Sequence, residues 1–188
     1  MGFWRTSDGE NQPVKNVSVE NRILKGDFQG TSYNLRVFRF GASKPGAPKA
    51  YMHAALHADE TPGMLILHHM LPKLQAAAEA GLIQGEIVVL PQANPLGGAQ
   101  VVFNDTHIGR FDLASSQNHN RGWELLTPAV VAEIETVLSD DATANVAHIR
   151  RIVGAAVAAR EPATVLEQFR KEILLLSHDA DIVFDIHC

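Results

Sequence analysis

Two histidines and one glutamate stand where they could hold a metal ion. His57 and Glu60 lie three positions apart in the stretch HAALHADETPG, and His187 comes just before the last residue. Two imidazoles and one carboxylate, with a coordination position left for water, are the ligands of a catalytic zinc site. Zinc held in this way would lower the pKa of the water and polarise a carbonyl group. The His57–Glu60 spacing would equally suit a polar loop that caps a helix, so the spacing alone leaves both interpretations open.

Short apolar segments predict the strands that would carry these residues. The segment 21–40 contains alternating runs broken at two glycine-containing turns, which predicts a pair of hairpin strands. The unbroken apolar runs 50–56, 86–91 and 180–187 each predict a buried strand. Strands of this kind, alternating with helices, indicate a largely parallel sheet covered by helices.

Helices are predicted between the buried strands. The first is expected to begin with Thr61 as N-cap and Pro62 in its first turn, and to end before Gly81. Two or three more are predicted after a long irregular stretch, through 132–138, 146–159 and 163–177.

The predicted sheet would gather the candidate ligands at one edge. Ligands of such sheets bind beyond the carboxyl ends of the strands. His57 and Glu60 follow one buried strand, Asn94 follows the next, and His187 ends the last. We therefore expect His57, Glu60 and His187 to lie close together although they are far apart in the chain.

Composition limits the class of protein. The chain has 188 residues, of which 46% are hydrophobic and 20% charged, as expected for one soluble domain. Its net charge is −5 with scattered basic residues, so we expect no nucleic-acid partner. No uncharged run approaches the ~18 residues of a membrane span, and the N-terminal segment lacks a signal-peptide core. The single cysteine, Cys188, excludes an intrachain disulfide. We expect a cytoplasmic protein that does not bind membranes, and its oligomeric state stays open.

Four motifs in order resemble those of the succinylglutamate desuccinylase/aspartoacylase family, part of the zinc carboxypeptidase superfamily. They are HAALHADETPG, VVLPQANPLGGAQ, GRFDLASSQNHNRGW and DIVFDIHC. The resemblance implies an α/β fold with a mostly parallel or mixed sheet covered by helices. Its three-layer architecture would be zinc-carboxypeptidase-like (phosphorylase/hydrolase-like), here truncated. Residues 1–188 would form the N-terminal part of the catalytic domain, and we expect residues 1–20 to be flexible.

The same resemblance implies a role for each motif residue. His57, Glu60 and His187 match the ligands of one zinc ion. Arg110 matches an arginine that binds the substrate and polarises the scissile carbonyl, a catalytic role.

Asn120 and Arg121 match a pair that grips the substrate carboxylate. A planar guanidinium suits bidentate contact with a carboxylate, and a second one near the metal would stabilise an oxyanion. The alternative for Arg110 and Arg121 is an ordinary surface salt bridge.

Neighbouring polar residues have weaker claims. Asp185 shares a strand face with His187, so it is a candidate for orienting that ligand, or else a plain residue at a strand end. His53 is interpreted as a core or cavity histidine rather than a fourth ligand. Asp59 is interpreted as a loop or helix-entry residue, and nothing near Cys188 marks its thiol as a nucleophile.

The implied activity is that of a zinc-dependent hydrolase of the deacylase or desuccinylase kind. It would cleave the amide bond of an N-acyl amino acid or a similar carboxylate-bearing small molecule, with metal-activated water as nucleophile. Family members carry a glutamate general base beyond the third ligand, and no glutamate of this chain matches it. We therefore expect the 188-residue chain alone to be inactive or nearly so. The alternative is a non-catalytic or degenerate module that binds metal or carboxylates. The acyl group and the amine stay open.

Overall fold

A computed structural model describes residues 16–44, 46–123 and 126–188. The strands in these ranges are β1 Val17–Lys25, β2 Ser32–Gly41, β3 Lys49–Ala54, β4 Glu86–Leu90, β5 Val101–Val102, β6 Thr106–His107 and β7 Ile182–Ile186. The helices are α1 Thr61–Glu79, α2 Pro95–Gly98, α3 Thr127–Val137, α4 Ala142–Ala158 and α5 Val165–Ser177. Every strand and helix predicted from the sequence is therefore present. The stretch expected to be irregular contains only α2 and the small β5–β6 ladder.

The main sheet is mixed, with strand order β1-β2-β4-β3-β7. β3 lies parallel to both β4 and β7, whereas the β1–β2 hairpin and the β2–β4 pair are antiparallel. The predicted fold class, a sheet with helices in an α/β arrangement, is confirmed. The parallel part is limited to three strands because the N-terminal hairpin joins the sheet through antiparallel pairing.

Helices cover both faces of the sheet and form two cores. Alternate side chains of a strand point to opposite faces, so neighbouring residues of β2 contribute to different cores. On one face α1 packs on the sheet through Leu67, Leu71 and Ala78, which join Phe38, Phe40, Met52, Ala54 and Val89. On the other face the apolar side of α5 joins Leu24, Leu35, Val37, Tyr51, Val88 and Leu90. The result is a three-layer arrangement with β7 at one edge of the sheet.

The start of α1 differs from the prediction. Glu60, not Thr61, occupies the N-cap position, and no side chain caps the helix there. Thr61 and Pro62 are the first helical residues. The Glu60 carboxylate is turned toward two histidines instead of the helix amides, and this use of the side chain explains the difference.

The segment predicted to be flexible needs a correction in its second part. Residues 1–15 lie outside the described residues. Residues 17–20 belong to β1, where Val17 pairs with Phe40 of β2. The ladder with β2 and the packing of Val17 on one core hold them in the sheet.

Candidate metal centre

The three predicted ligands meet at the carboxyl ends of β3 and β7. Their ligand atoms all lie within 4.8 Å of one another. His57 and Glu60 are buried, while the His187 side chain is 31% exposed. After β3 ends, Ala55 takes a left-handed conformation with φ of 56°, which turns the chain toward this edge. A non-glycine residue in that conformation is strained, and such strain persists only where the surroundings hold it.

Glu60 stands between the two imidazoles. Its Oε1 lies 3.0 Å from His57 Nδ1, and its Oε2 lies 2.7 Å from His187 Nδ1. The backbone N–H of Cys188 donates to Oε2 at 3.2 Å. Glu60 also sits at the N-terminus of α1, where the helix dipole favours a negative charge.

Asp185 fixes the proton of His187 on the outer ring nitrogen. His187 Nε2 lies 3.0 Å from Asp185 Oδ2, and an ionised carboxylate can only accept a hydrogen bond. Asn120 Nδ2 lies 3.3 Å from the same nitrogen, but its amide oxygen accepts from Trp123, so the group facing His187 is itself a donor. We therefore assign the Nε2 proton to the bond with Asp185. In the neutral imidazole, His187 Nδ1 then presents a lone pair toward Glu60.

Asn118 does the same for His57. Its Oδ1 lies 2.9 Å from His57 Nε2 and also accepts from the backbone N–H of Asn120 at 2.8 Å. Because the atom already accepts one hydrogen bond, it is the amide oxygen, and His57 Nε2 must donate to it. His57 Nδ1 is left to face Glu60.

The resulting set of atoms fits a cation. Two neutral imidazoles and a carboxylate each point an acceptor at the same small space, and acceptors repel one another unless a proton or a metal ion lies between them. Nitrogen and oxygen donors of these types are those that zinc prefers. In the described part of the chain, His57, Glu60 and His187 form the group of histidine, cysteine or acidic side chains that could hold a metal ion.

A buried chain of hydrogen bonds extends from His187 into the core. Asp185 Oδ1 lies 2.8 Å from His53 Nε2, and His53 Nδ1 lies 3.1 Å from the Tyr51 hydroxyl. Burial, followed by the nearby Asp185 charge, raises the pKa of Tyr51, so its hydroxyl keeps its proton and donates. His53 is thus a core histidine, as interpreted from the sequence, and it holds Asp185 in place for His187. We name Tyr51, His53 and Asp185 the sheet support.

The charges of the site shift its pKa values. Burial opposes ionisation of Glu60, but its contacts with His187, His57 and the Cys188 N–H outweigh it and lower the pKa of Glu60. Burial also opposes protonation of His187, yet hydrogen bonds to Glu60 and Asp185, together with their charges, raise the pKa of His187. Without a metal, the ionised Glu60 carboxylate can only accept, so its 2.7 Å contact with His187 Nδ1 calls for a proton on that nitrogen in place of the cation. Metal binding must release that proton.

Arg110 reaches the edge of this centre. Its Nη2 donates to Glu60 Oε1 at 2.8 Å, and its side chain is 44% exposed. The residue before it, Gly109, accepts a hydrogen bond from the Ala58 N–H at 2.9 Å. A Cβ on Gly109 would lie 2.1 Å from the Asp59 nitrogen, so only glycine permits this close approach. Arg110 is thereby tied to the segment that carries His57 and Glu60.

Asn120 and Arg121 lie beside the centre on a loop. Asn120 approaches His187, as described above, and Arg121 is exposed, with Nη1 donating to the Asn120 carbonyl at 2.8 Å. We name residues 117–122 the Asn118 loop. Asp59 is an exposed residue of the neighbouring segment, as the sequence suggested, and Cys188 is exposed.

The contacts of two polar residues in this region were not predicted from the sequence. Asn118 orients His57, and the fully buried Asn94 joins the Leu56 carbonyl to the Gly97 N–H. Both stand inside motifs that had been noted, and Asn94 directly follows a predicted strand. An asparagine in a loop is common for many reasons, so its type alone gave no sign of these contacts.

Comparison with known proteins agrees with this geometry. A family model described as the succinylglutamate desuccinylase/aspartoacylase catalytic domain matches residues 46–188. No curated protein matches the chain. In the described residues no helix is both long and apolar enough to cross a membrane.

Solved structures of proteins assigned to the same family share the fold. One from Shewanella frigidimarina is 22% identical with a TM-score of 0.75, and the match covers 92% of this chain and 46% of that chain. One from Shewanella amazonensis is 24% identical with a TM-score of 0.73, covering 90% and 46%. One from Rhodobacter sphaeroides is 14% identical with a TM-score of 0.54, covering 98% and 43%. The present chain spans about half the length of these proteins.

Proposed function

The chain belongs to the succinylglutamate desuccinylase/aspartoacylase catalytic-domain family, and from this premise we propose that it is the metal-binding part of a zinc-dependent hydrolase. The bond cleaved is the amide of an N-acyl amino acid or of a similar small molecule that carries a carboxylate. The observation that supports the proposal most directly is the convergence of His57 Nδ1, His187 Nδ1 and the Glu60 carboxylate on one space.

His57, Glu60 and His187 would hold the zinc ion. The bound ion supplies a water of lowered pKa and a Lewis acid for the carbonyl oxygen. Asn118 and Asp185 keep the Nε2 protons of the two histidines in place, so that both Nδ1 lone pairs stay available. These contacts orient the ligands before any metal arrives.

Arg110 is proposed to stabilise the negative charge that forms on the scissile carbonyl oxygen. Its guanidinium reaches Glu60 from the exposed side of the site, where a substrate would enter. A fixed donor near the developing oxyanion acts on the transition state more strongly than on the ground state.

Asn120 and Arg121 are proposed to bind the substrate carboxylate. They lie on the Asn118 loop next to His187, and the exposed Arg121 guanidinium can form two parallel hydrogen bonds with a carboxylate. A substrate held there would present its amide toward the metal centre.

The general base has no candidate at the site among the described residues. The two carboxylates there, Glu60 and Asp185, are both engaged with histidines. General-base catalysis typically accelerates a reaction by about 10²–10⁴-fold. We therefore propose that this chain binds zinc but turns over poorly by itself.

A metal analysis and an activity assay together test the proposal. Protein purified without chelators should contain one zinc ion, His57→Ala should lose it, and His69→Ala, an exposed histidine of α1, should keep it. The zinc-loaded chain should then be assayed on a panel of N-acyl amino acids beside a full-length family member. Full zinc in His57→Ala would contradict the ligand assignment. Comparable turnover by the two proteins would mean that Glu60, Asp185 or Asp59 serves as the base. Absence of amide hydrolysis in both would favour the carboxylate-binding module.

A further inference from the structure

Arg170 of α5 is a buried arginine whose side-chain hydrogen bonds, within the described residues, run to the Asn118 loop. Its side chain lies on the apolar side of the helix, and the residue is 8% exposed. Nη1 donates to Gln117 Oε1 at 3.2 Å, and Nη2 donates to the carbonyls of Asn118, at 3.3 Å, and Arg121. One guanidinium thus joins three points of a single turn.

This burial is unfavourable for Arg170 itself. Removing a guanidinium from water without a carboxylate against it disfavours its charge, and burial lowers the pKa of Arg170. Among the described residues, no carboxylate forms an ion pair with it at the distance of a salt bridge. We therefore expect the buried guanidinium to fix a geometry of the loop that apolar packing could not fix.

The turn held by Arg170 carries the residues that face the metal centre. Asn118 uses its carbonyl for Arg170 and its side-chain oxygen for His57. Arg121 uses its carbonyl for Arg170, while its N–H donates to the Asn118 carbonyl at 3.0 Å. Gly122 follows with φ of 66°, which ends the turn. The carbonyls of Asn118 and Arg121 therefore face α5, while the side chains of Asn118 and Asn120 face the two histidines.

A neighbouring contact supports the same link between helix and loop. His119 is fully buried, its Nδ1 donates to the Gly109 carbonyl at 3.1 Å, and its ring lies edge-on to Phe169 at 6.3 Å between ring centroids. A carbonyl accepts only, so His119 Nδ1 carries the proton. Phe169 and Arg170 are adjacent on α5, so one stretch of the helix contacts both the apolar and the polar side of the loop.

We propose that Arg170 is a positioning residue: by holding the Asn118 and Arg121 carbonyls it keeps Asn118 against His57 and sets Asn120 and Arg121 beside the metal centre. It touches neither metal nor substrate. The part that concerns substrate anchoring rests on the proposed function, whereas the effect on loop geometry does not.

Arg170→Met and Arg170→Lys test the proposal, with Lys171→Met as the matched control. Lys171 is the next residue of α5 and binds the Ala158 and Arg160 carbonyls, away from the loop. Zinc affinity, measured by competition with a chelator, should fall about tenfold in Arg170→Met, at the lower end of the range for residues that orient ligands. It should stay unchanged in Lys171→Met. Arg170→Lys should also weaken binding, because one ammonium cannot span the three acceptors.

A double substitution separates positioning from general loss of stability. If Arg170 acts through Asn118, the loss of zinc affinity in Arg170→Met combined with Asn118→Ala should be clearly less than the product of the two single losses. Independent losses, or zinc affinity in Arg170→Met within about twofold of the original protein, would overturn the proposal. If Arg170→Met does not fold, the same double substitution made with Arg170→Lys gives the answer.

Amide hydrogen exchange without metal keeps the result independent of the proposed function. The N–H groups of Asn120 and Arg121 are held by Asn118 within the turn, so their exchange should accelerate in both Arg170 variants. The Ala93 N–H, which donates to the Ala54 carbonyl at the sheet edge, should be unaffected. Faster exchange at Asn120 and Arg121 in a protein that binds no zinc would uphold the positioning role while the proposed function failed. Unchanged exchange at these two amides would contradict the positioning role.

Discussion

The two histidines of the metal centre are held by different chemistry. His57 is buried and donates to a neutral amide, Asn118, on a loop. His187 is about a third exposed and donates to a carboxylate, Asp185, on the strand that it follows. Both contacts leave an Nδ1 lone pair facing Glu60, so the same task is performed by a neutral acceptor on one side and a charged acceptor on the other.

Burial explains the difference. A carboxylate placed against the buried His57 would lose its hydration, and Glu60 already brings one negative charge into that space. Asp185 keeps partial contact with water, and the donation from His53 compensates for part of its desolvation. Hydrogen bonds from His53 and His187, together with the charge of protonated His187, outweigh burial and lower the pKa of Asp185. The stronger acceptor therefore stands where the protein can keep it charged.

The largest loss of zinc affinity is expected when Asp185, the charged acceptor of His187, is replaced. Asp185→Ala removes the acceptor of His187 and the partner of the buried His53 at once, so affinity should fall toward the upper part of the ~10–100-fold range for such residues. Asp181→Asn, just before β7, breaks an ion pair with Arg150 and is the matched control. Chelator competition measures both. A loss in Asp185→Ala no greater than in Asp181→Asn would remove Asp185 from the centre.

Asn118→Ala should have a smaller effect on zinc affinity. The lost acceptor is neutral, and the burial of His57 still limits the orientations of its ring, so we expect about a tenfold loss. The comparison fails if the loss in Asn118→Ala exceeds that in Asp185→Ala. In that case the loop, not the charge on the sheet side, would dominate the orientation of the ligands.

Tyr51→Phe probes the far end of the sheet support and should change zinc affinity least. Asp185 and both histidines keep their mutual contacts, so affinity should stay close to that of the original protein. The free energy of unfolding should nevertheless fall by about 1–3 kcal/mol, because the buried His53 Nδ1 loses its donor. Urea unfolding at constant metal content measures this. A large loss of affinity without loss of stability would show that Tyr51 acts on the metal more directly than the hydrogen bonds indicate.

The stability of the metal-free protein should depend slightly on pH, because the pKa values of His187, Glu60 and Asp185 are shifted on folding. The pKa of His187 is raised above 6.5 on folding, so its ion pairs stabilise the protein below that pH and are lost as pH rises through the raised value. The pKa values of Glu60 and Asp185 are lowered, so their contribution is present above 4.5 and 3.8 and disappears as pH falls through the lowered values. Solvent reduces the size of both effects.

Thermal unfolding followed from acidic to alkaline pH checks this expectation. Asp185→Asn should flatten the decline of the Tm on the alkaline side, because one of the two partners of protonated His187 is gone. An unaltered profile in that variant would leave Glu60 as the sole source of the His187 shift.

The sequence predicted the convergence of the three candidate ligands better than the contacts that orient them. His57, Glu60 and His187 each follow or end a strand with a clear apolar pattern, and the topology of the sheet then brings them together. Asp185 could be named because the period of two along a strand places it on the same face as His187. These predictions needed only local patterns and one general rule about sheets.

Asn118 and Arg170 could not be predicted in the same way. The stretch between β4 and α3 has no periodicity, so the path of the Asn118 loop depends on contacts with α5, about fifty residues further along the chain. A helical arginine ordinarily indicates a solvated face, and here it is buried against carbonyls. The cap of α1 was misassigned for a related reason, since the carboxylate of Glu60 serves the site rather than the helix.

The close approach at Gly109 has a consequence for motion. The Ala58–Gly109 hydrogen bond, with no room for a side chain between the two backbones, fastens the loop that carries Arg110 to the turn that carries His57 and Glu60. The two segments should fluctuate as one body on the timescale of loop motions. Arg110 then keeps its distance from the candidate ligands while the turn moves, because the Ala58–Gly109 hydrogen bond couples the two segments.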